Sequence, residues 1–453
     1  MSIFRAYDIR GIVGETLTES IVYQIGQAIG SEAADRQCPN IVVARDGRLS
    51  GPVLIESLIE GLMSTGRHVI DIGQVPTPVL YFSTYFLQTG SGVMLTGSHN
   101  PANYNGLKMM IGGETLFADA ITNLKHRIDN KNVISAKGTR EQLNLKEAYL
   151  NRITTDIKLD RPFKVVVDCG NGVAGELAPR LLKMLGCEVI ELFCEIDGNF
   201  PNHHPDPTQL KNLQDLIATV KETNADLGLG FDGDGDRLGV VDNKGKVIWA
   251  DRQMMLYAKD ILSRHPQSEI IFDVKCSRHL SKVIEESNGI PIMWKTGHSF
   301  MKTKLKETGL LAGEMSGHIF FKERWYGFDD ALYTAARLLE ILSKQTFSPA
   351  EVFEQLPDAV STPEIQVYVN EGENFCFMEQ FSKQAQFLNA EQITTIDGLR
   401  VDFKNGWGLV RPSNTTPCLV LRFEADNETV LREIQQQFRS QMLAVNNTLQ
   451  LPF

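Results

Sequence analysis

The chain has 453 residues, 42% of them hydrophobic and 22% charged, which supplies about three or four domain cores and excludes disordered, collagen-like and coiled-coil chains. Its 45 Lys and Arg against 56 Asp and Glu leave a net charge of −11 with no long basic run, so a broad nucleic-acid or anionic-membrane surface is excluded while a locally positive pocket is not. Seven cysteines without a CxxC, no run of 18 apolar residues and no apolar stretch near Arg5 argue against a disulfide framework, a membrane span and a signal peptide, and lead us to expect a cytoplasmic protein.

In chain order, residues 41–47 form a β-branched run ending in a turn signal, and Val53, Leu54, Leu58, Ile59 and Leu62 follow at helical spacing. Gly66 breaks that helix before a second strand, residues 68–73. The apolar run 92–95 then opens onto Thr96-Gly97-Ser98-His99-Asn100-Pro101. Ser98 reads either as an ordinary turn serine or as a nucleophile or phosphate carrier with a proton partner beside it. The absence of a Gly-x-Ser-x-Gly elbow sets a serine hydrolase aside.

The same strand, turn, helix, glycine and strand recur over residues 164–192, with Leu177, Leu181, Leu182 and Leu185 on the helix and Gly186 as the breaker. Residues 227–231 lead into Asp232-Gly233-Asp234-Gly235-Asp236-Arg237. Three carboxylates at alternate positions, separated by glycines, can converge on one hard cation such as Mg²⁺, Mn²⁺ or Ca²⁺. Arg237 at the glycine position and Asn243 at the bidentate-glutamate position exclude an EF-hand. The other reading, a solvated acidic turn, leaves three mutually repelling carboxylates without a cation. Three protein ligands leave room for a fourth, such as a phosphate oxygen.

A third, weaker copy covers residues 269–273, Leu280, Val283, Ile284, the breaker Gly289 and the run 290–294. It is followed by Lys295-Thr296-Gly297-His298 and by Gly313-Glu314-Met315-Ser316-Gly317-His318. Glu314 and Ser316 can hydrogen-bond vicinal hydroxyls, and His318 a hydroxyl or a phosphate; the bland alternative is a hydrogen-bonded turn.

Beyond about residue 358 the pattern changes to a hairpin, residues 401–403 and 408–410 about a turn at Asn405-Gly406, then a strand at 419–423 and a helix carrying Val430, Leu431, Ile434, Phe438 and Met442. Between the hairpin and that strand lies Arg411-Pro412-Ser413-Asn414-Thr415-Thr416-Pro417, one guanidinium and four hydroxyl or amide side chains, which suits a phosphate clamp or a Pro-bounded turn. The fold expected is α/β: three related mixed α/β domains, residues 1–148, 149–248 and 249–357, plus a C-terminal α+β domain, 358–453, arranged around a central cleft. Leu356-Pro357-Asp358 and Ser361-Thr362-Pro363 mark a linker about which the last domain would swing. A phosphate carrier, a cation loop, a polyol-reading loop and a phosphate clamp, one per domain, together describe phosphoryl transfer on a phosphorylated polyol.

With these loops, and with Phe4-Arg5-Ala6-Tyr7-Asp8-Ile9-Arg10-Gly11 ahead of them, the whole chain resembles the α-D-phosphohexomutase superfamily, most of all its bacterial phosphomannomutase/phosphoglucomutase branch. The resemblance implies that Ser98 is the phosphorylated serine and that Asp232, Asp234 and Asp236 bind Mg²⁺ together with an oxygen of that phosphoserine. It implies further that Glu314 and Ser316 read the sugar hydroxyls, that Arg411, Ser413, Asn414 and Thr415 clamp the phosphate not being transferred, and that Tyr7, Arg10, Lys108, Arg237, Lys275, His298 and His318 line the cleft. Met315 resembles the mannose/glucose branch, where phosphoglucosamine mutases usually carry Gln. The implied reaction interconverts hexose 6-phosphates and 1-phosphates through hexose 1,6-bisphosphate, with Lys108 or His318 as proton acceptor and Arg10 supplying charge. The expected partners are small hexose phosphates, with no nucleic acid or membrane, and the chain is expected to be a monomer or weak dimer. The competing readings are a phosphoglucosamine mutase, a Mg²⁺-dependent sugar phosphatase and a non-catalytic sugar-phosphate binder.

Overall fold

The computed structural model describes residues 3–5, 7–413 and 416–453. Three of its four sheets repeat one plan. A central strand lies between two parallel neighbours, and the second neighbour continues into an antiparallel strand. In the first sheet these are Asn40–Arg45, His68–Gln74, Gly92–Leu95 and Tyr104–Ile111, extended by Ile9–Ile12, Glu114–Thr115 and Thr139–Gln142. The second uses Lys164–Asp168, Glu188–Leu192, Leu227–Phe231 and Leu238–Asp242, with Val247–Ile248 at the edge. The third uses Glu269–Asp273, Ile290–Trp294, Leu311–Gly313 and Ile319–Phe321. The loops holding Ser98, the three aspartates and Glu314 therefore occupy one topological place, the turn after a parallel strand that leads into its antiparallel partner, where α/β sheets present ligand sites.

The central strands are buried on both faces, which fits runs such as Val165-Val166-Val167 and Ile270-Ile271-Phe272. The helix Gly51–Met63 buries Leu54, Ile55, Leu58, Ile59 and Leu62. Val53, read from the sequence as part of that stripe, is 52% exposed instead, because its position is one helical step outside the apolar arc. One continuous core links the first three sheets, from Val42 through Val165 to Phe353.

The fourth sheet is wholly antiparallel, in the order Val360–Ser361, Cys418–Ala425, Gly406–Pro412, Leu399–Phe403 and Ala390–Thr394, with Ile365–Tyr368 also on Cys418–Ala425. The helices Glu373–Gln384 and Glu428–Val445 close a separate core around Phe381, Phe423 and Phe438. Its hairpin differs in register from the sequence reading. Phe403 pairs with Gly406, so the two-residue turn is Lys404-Asn405 and Gly406 belongs to the strand. A Cβ on Gly406 would lie 2.4 Å from the Glu424 carbonyl oxygen.

The expected linker is also more ordered than the sequence suggests. Ser361 pairs with Glu424, Thr362 exchanges hydrogen bonds with Phe423, and Asp358 is paired with Lys246 and Arg252. The fourth unit meets the third through Val274, Trp407 and Leu409 and through buried polar contacts. Arg400 donates to the carbonyls of Val274 and Cys276, and Ser277 and Trp407 both donate to Glu424.

Candidate active site

Ser98 sits on the 96–103 loop with φ +46°, a conformation non-glycine residues adopt only when their surroundings hold them there. Asp46, at the end of the first central strand, accepts from the Thr96 hydroxyl at 2.8 Å and the Gly97 N–H at 3.0 Å, and Thr96 in turn accepts from the Ser98 N–H at 2.8 Å. Arg48, fully buried, donates to the carbonyls of Ser98 (2.8 Å), Asn100 (2.6 Å), Pro101 (2.6 Å) and Tyr104 (3.0 Å) and to Asp46 (3.2 Å). The serine loop is thus wound around a guanidinium. The sequence reading took Asp46-Gly47 only as a turn signal and passed over Arg48.

The Ser98 hydroxyl donates to Asp232 Oδ2 at 3.1 Å and lies 3.3 Å from His99 Nδ1. The loop 232–237 lies directly behind it. A Cβ on Gly233 would come 2.4 Å from the Ser98 carbonyl oxygen, so glycine is required for this approach. Asp232, Asp234 and Asp236 are fully buried, with one carboxylate oxygen from each within 4.8 Å of the others. Asp232 Oδ1 accepts from the N–H groups of Asp236 and Arg237. Lys108 donates to Asp234 Oδ2 at 2.7 Å and Asp236 Oδ2 at 2.5 Å, and Thr77 to Asp234 Oδ2 at 2.6 Å.

Two oxygens, Asp234 Oδ1 and Asp236 Oδ1, are buried with no hydrogen-bond donor among the described residues. Buried carboxylate oxygens without donors beside a serine hydroxyl form an all-oxygen donor set, and the residues present fit a hard divalent cation. Burial and the charges of Asp236 and Asp234 push the Asp232 carboxyl well above the usual carboxylate range. Burial acts on Asp234 in the same direction, but Lys108 and its hydrogen bond hold that carboxyl below its usual value. Burial works against the Lys108 ammonium, yet Asp234 and Asp236 raise it well above the usual lysine range, so it is charged.

Arg237 reaches from this loop to the third unit, its Nε donating to His318 Nε2 at 2.9 Å. His318 stacks on His298 with ring centroids 5.7 Å apart. Burial, then Lys302, pushes His298 well below the ordinary histidine value, and burial, then Arg237, does the same to His99, so both rings are neutral. Glu314 accepts from the Gly297 N–H at 3.1 Å and the Ser316 hydroxyl at 3.0 Å, which places the two side chains expected to read hydroxyls side by side. Tyr7 donates to the Thr296 carbonyl at 3.1 Å and packs edge-on against Phe300. Arg10, on Ile9–Ile12, pairs with Asp8 at 2.6 Å.

Four comparisons bear on this arrangement. The models of the phosphoglucomutase/phosphomannomutase α/β/α domains I, II and III match residues 1–133, 147–245 and 249–360, and that of the C-terminal domain matches 364–441. A Pseudomonas aeruginosa protein named phosphomannomutase/phosphoglucomutase is 57% identical over 453 residues, covering 100% of this chain and 98% of its own. The chain belongs to the phosphoglucomutase/phosphomannomutase family. A Neisseria gonorrhoeae phosphoglucomutase is 53% identical over 97% of this chain and 96% of its own. A crystal structure of a Burkholderia thailandensis phosphoglucomutase/phosphomannomutase family protein superposes with a TM-score of 0.95 at 51% identity, covering 100% of this chain and 99% of that one.

Arg411 of the fourth unit and Lys275 of the third are both already paired. Arg411 Nε donates to Asp397 Oδ2 at 3.0 Å, and the same oxygen accepts from the Thr296 N–H. Lys275 pairs with Glu364 at 3.1 Å. Ser413 exchanges a hydrogen bond with the Thr416 hydroxyl at 2.9 Å, whereas Asn414 and Thr415 lie outside the described residues. The sequence reading missed Thr77, Lys302, Asp329, Glu364 and Asp397 as well as Asp46 and Arg48. Each acts through a partner more than ten residues away, and none stands in a patterned loop.

Proposed function

We propose that the chain is a phosphomannomutase/phosphoglucomutase that interconverts hexose 6-phosphates and hexose 1-phosphates through a phosphoserine at 98 and a hexose 1,6-bisphosphate. The observation that carries this reading is the Ser98 hydroxyl against a buried trio of aspartates with two undonated oxygens. Asp232, Asp234 and Asp236, with an oxygen on Ser98, would hold Mg²⁺, which when bound neutralises charge at the phosphoryl group. The four-domain division, residues 1–148, 149–248, 249–357 and 358–453, is supported by the four separate sheets.

The chain's own groups account for the rest. Arg411 and Ser413, with Asn414 and Thr415, grip the distal phosphate, and Glu314 and Ser316 orient the ring through its hydroxyls. Tyr7, Lys275 and His298 line the pocket, while Arg10, Lys108 and Arg237 supply positive charge where the phosphoryl oxygens pass. Lys108 is a charged ammonium committed to two carboxylates, so of the two proposed proton acceptors His318 is the one with a lone pair, at Nε2, which accepts from Arg237 Nε until that side chain turns to the phosphoryl oxygens. The incoming O1 or O6 hydroxyl forms a bond to phosphorus as the bond from phosphorus to Ser98 Oγ breaks. The hydroxyl proton passes to His318, and the serine oxygen regains a proton when the transfer is complete. The bisphosphate then turns end for end, and its other phosphate returns to Ser98.

Mannose and glucose are favoured by Met315 and by the relatives' names. Small hexose phosphates as partners and a cytoplasmic monomer or weak dimer are part of the same reading; among the described residues no helix is long and apolar enough to cross a membrane. A coupled assay on mannose 1-phosphate, glucose 1-phosphate and glucosamine 1-phosphate, with inorganic phosphate measured alongside, tests the proposal. Isomerisation of the first two with little phosphate release is expected. Predominant phosphate release would make the chain a phosphatase, and preference for the third would make it a glucosamine enzyme.

A further inference from the structure

Behind His318 lies a buried pair that the mechanism above does not use. Asp329, fully buried, presents Oδ2 to His318 Nδ1 at 3.0 Å, and Lys302 donates to its Oδ1 at 3.0 Å. The Lys302 ammonium spends its other two protons on Tyr81 Oη at 3.1 Å and His298 Nδ1 at 3.0 Å, so its position is fixed from three directions. Lys302 stands one turn after His298 on the helix His298–Glu307, and Asp329 immediately precedes Asp330, the N-cap of the helix Ala331–Ser343.

The tautomer of His318 follows from its neighbours. Arg237 Nε always carries a proton and points it at His318 Nε2 at 2.9 Å, so Nε2 must offer its lone pair. The ring proton therefore sits on Nδ1, which faces two carboxylates, Asp329 Oδ2 at 3.0 Å and Asp236 Oδ1 at 3.5 Å. Asp236 Oδ1 belongs to the oxygen set that fits a cation, and its sister oxygen is held by Lys108. His318 Nδ1 and Asp329 Oδ2 are both buried without a hydrogen bond among the described residues, and at 3.0 Å a small turn of the ring makes each the other's partner.

We propose that Asp329, anchored by Lys302, is a positioning residue that holds the His318 ring with its proton on Nδ1, so that the Nε2 lone pair, which accepts from Arg237 Nε here, passes to the reacting hydroxyl when Arg237 turns to the phosphoryl oxygens. Removing the carboxylate lets the ring rotate or take the other tautomer, in which an Nε2–H would oppose the Arg237 donor and could accept nothing. A His held by a carboxylate in one tautomer is a recurring device of proton-transfer sites, and loss of that partner there costs about 10²- to 10⁴-fold in turnover. The inference rests on His318 being the proton acceptor.

The test is steady-state kinetics on the Mg²⁺-loaded enzyme for Asp329→Asn, His318→Ala and the double variant. Asp329→Asn should lose about 10²- to 10⁴-fold in kcat with KM and the Mg²⁺ concentration for half-activation within about threefold of wild type, and it should cause no further loss in the His318→Ala background. A near-wild-type kcat, or losses that multiply in the double variant, overturns the positioning role. NMR of ¹⁵N-histidine-labelled enzyme gives an arm independent of turnover. The signals absent from His318→Ala should report an Nδ1-protonated ring in wild type and a mixed or reversed tautomer in Asp329→Asn. An Nε2-protonated ring in wild type overturns the proposal whatever His318 does. An Nδ1-protonated ring together with full turnover in His318→Ala refutes the proton-acceptor reading alone. Should Asp329→Asn fail to fold, Lys302→Met, which frees the far side of Asp329, is expected to show the same kcat-only loss in weaker form, and an unchanged kcat there counts against the proposal.

Discussion

Replacing Arg48 by methionine should both destabilise the protein and slow the reaction, for separable reasons. The guanidinium donates to four loop carbonyls and to Asp46 from a site with no exposure. At about 1.5–3 kcal/mol for each hydrogen bond to a charged group, a naive sum over five reaches about 8–15 kcal/mol. That sum is too large, since Asn100 and Tyr104 are only partly buried and Pro101 is exposed, so their carbonyls can take up water. What remains is the buried Asp46 carboxylate without its cation and the buried Ser98 carbonyl without a donor, a loss of about 3–5 kcal/mol. A serine loop shifted by about 1 Å costs about 10²-fold in turnover. Urea unfolding and mutase assays on Arg48→Met read the two effects. Adding Asp46→Asn should recover about 1–3 kcal/mol of stability by removing the unpaired charge but should not restore kcat. Stability within about 1 kcal/mol of wild type and unchanged kcat in Arg48→Met would refute the claim that this guanidinium shapes the loop.

Gly233→Ala places a Cβ on the Ser98 carbonyl and should separate the aspartate loop from the serine, lowering kcat by about tenfold or more while the overall fold, read by circular dichroism, persists. Arg411→Ala removes a charge-assisted contact worth about 2–4 kcal/mol in a closed site, so kcat/KM should fall about 30- to 1,000-fold for 1-phosphate and 6-phosphate substrates alike. A penalty confined to one substrate would contradict a single clamp that holds either phosphate. Asp330 predicts a pH effect. Burial pushes its carboxyl up to about 7, even though Tyr333, Tyr149 and Trp325 donate to it. With a folded value above the unfolded one, its contribution is fully present below about pH 4 and is lost as pH rises through about 7. Unfolding free energies should therefore decline between pH 5 and pH 8 by about 2–3 kcal/mol more in wild type than in Asp330→Asn, and parallel profiles would contradict the assignment.

The sequence exposed what is periodic or local. Asp232, Asp234 and Asp236 were legible because alternate carboxylates with intervening glycines have few other uses, and the three βαβ units because strand, helix and glycine breaker repeat in one order. The topological equivalence of the serine, aspartate and Glu314 loops was not legible, since it depends on which strand each central strand accepts as its second parallel neighbour. Arg48 was invisible for a related reason. Its acceptors are backbone carbonyls about fifty residues away, and carbonyls have no sequence signature. Asp397 holds Arg411 within the fourth unit and Glu364 holds Lys275 across a domain contact, and their surroundings read as ordinary turns. Val53 and the Lys404-Asn405 turn show the remaining error, a one-residue slip in helical phase or hairpin register that only packing decides.

The most direct test of the account follows a labelled phosphoryl group through one turnover. Enzyme carrying ³²P on Ser98 is mixed with unlabelled glucose 1-phosphate and quenched on the millisecond scale. Label should leave the protein and appear first in glucose 1,6-bisphosphate, and Ser98→Ala should take up no label and turn over negligibly. Product forming while the label stays on the protein, or label emerging first as inorganic phosphate, would contradict the account.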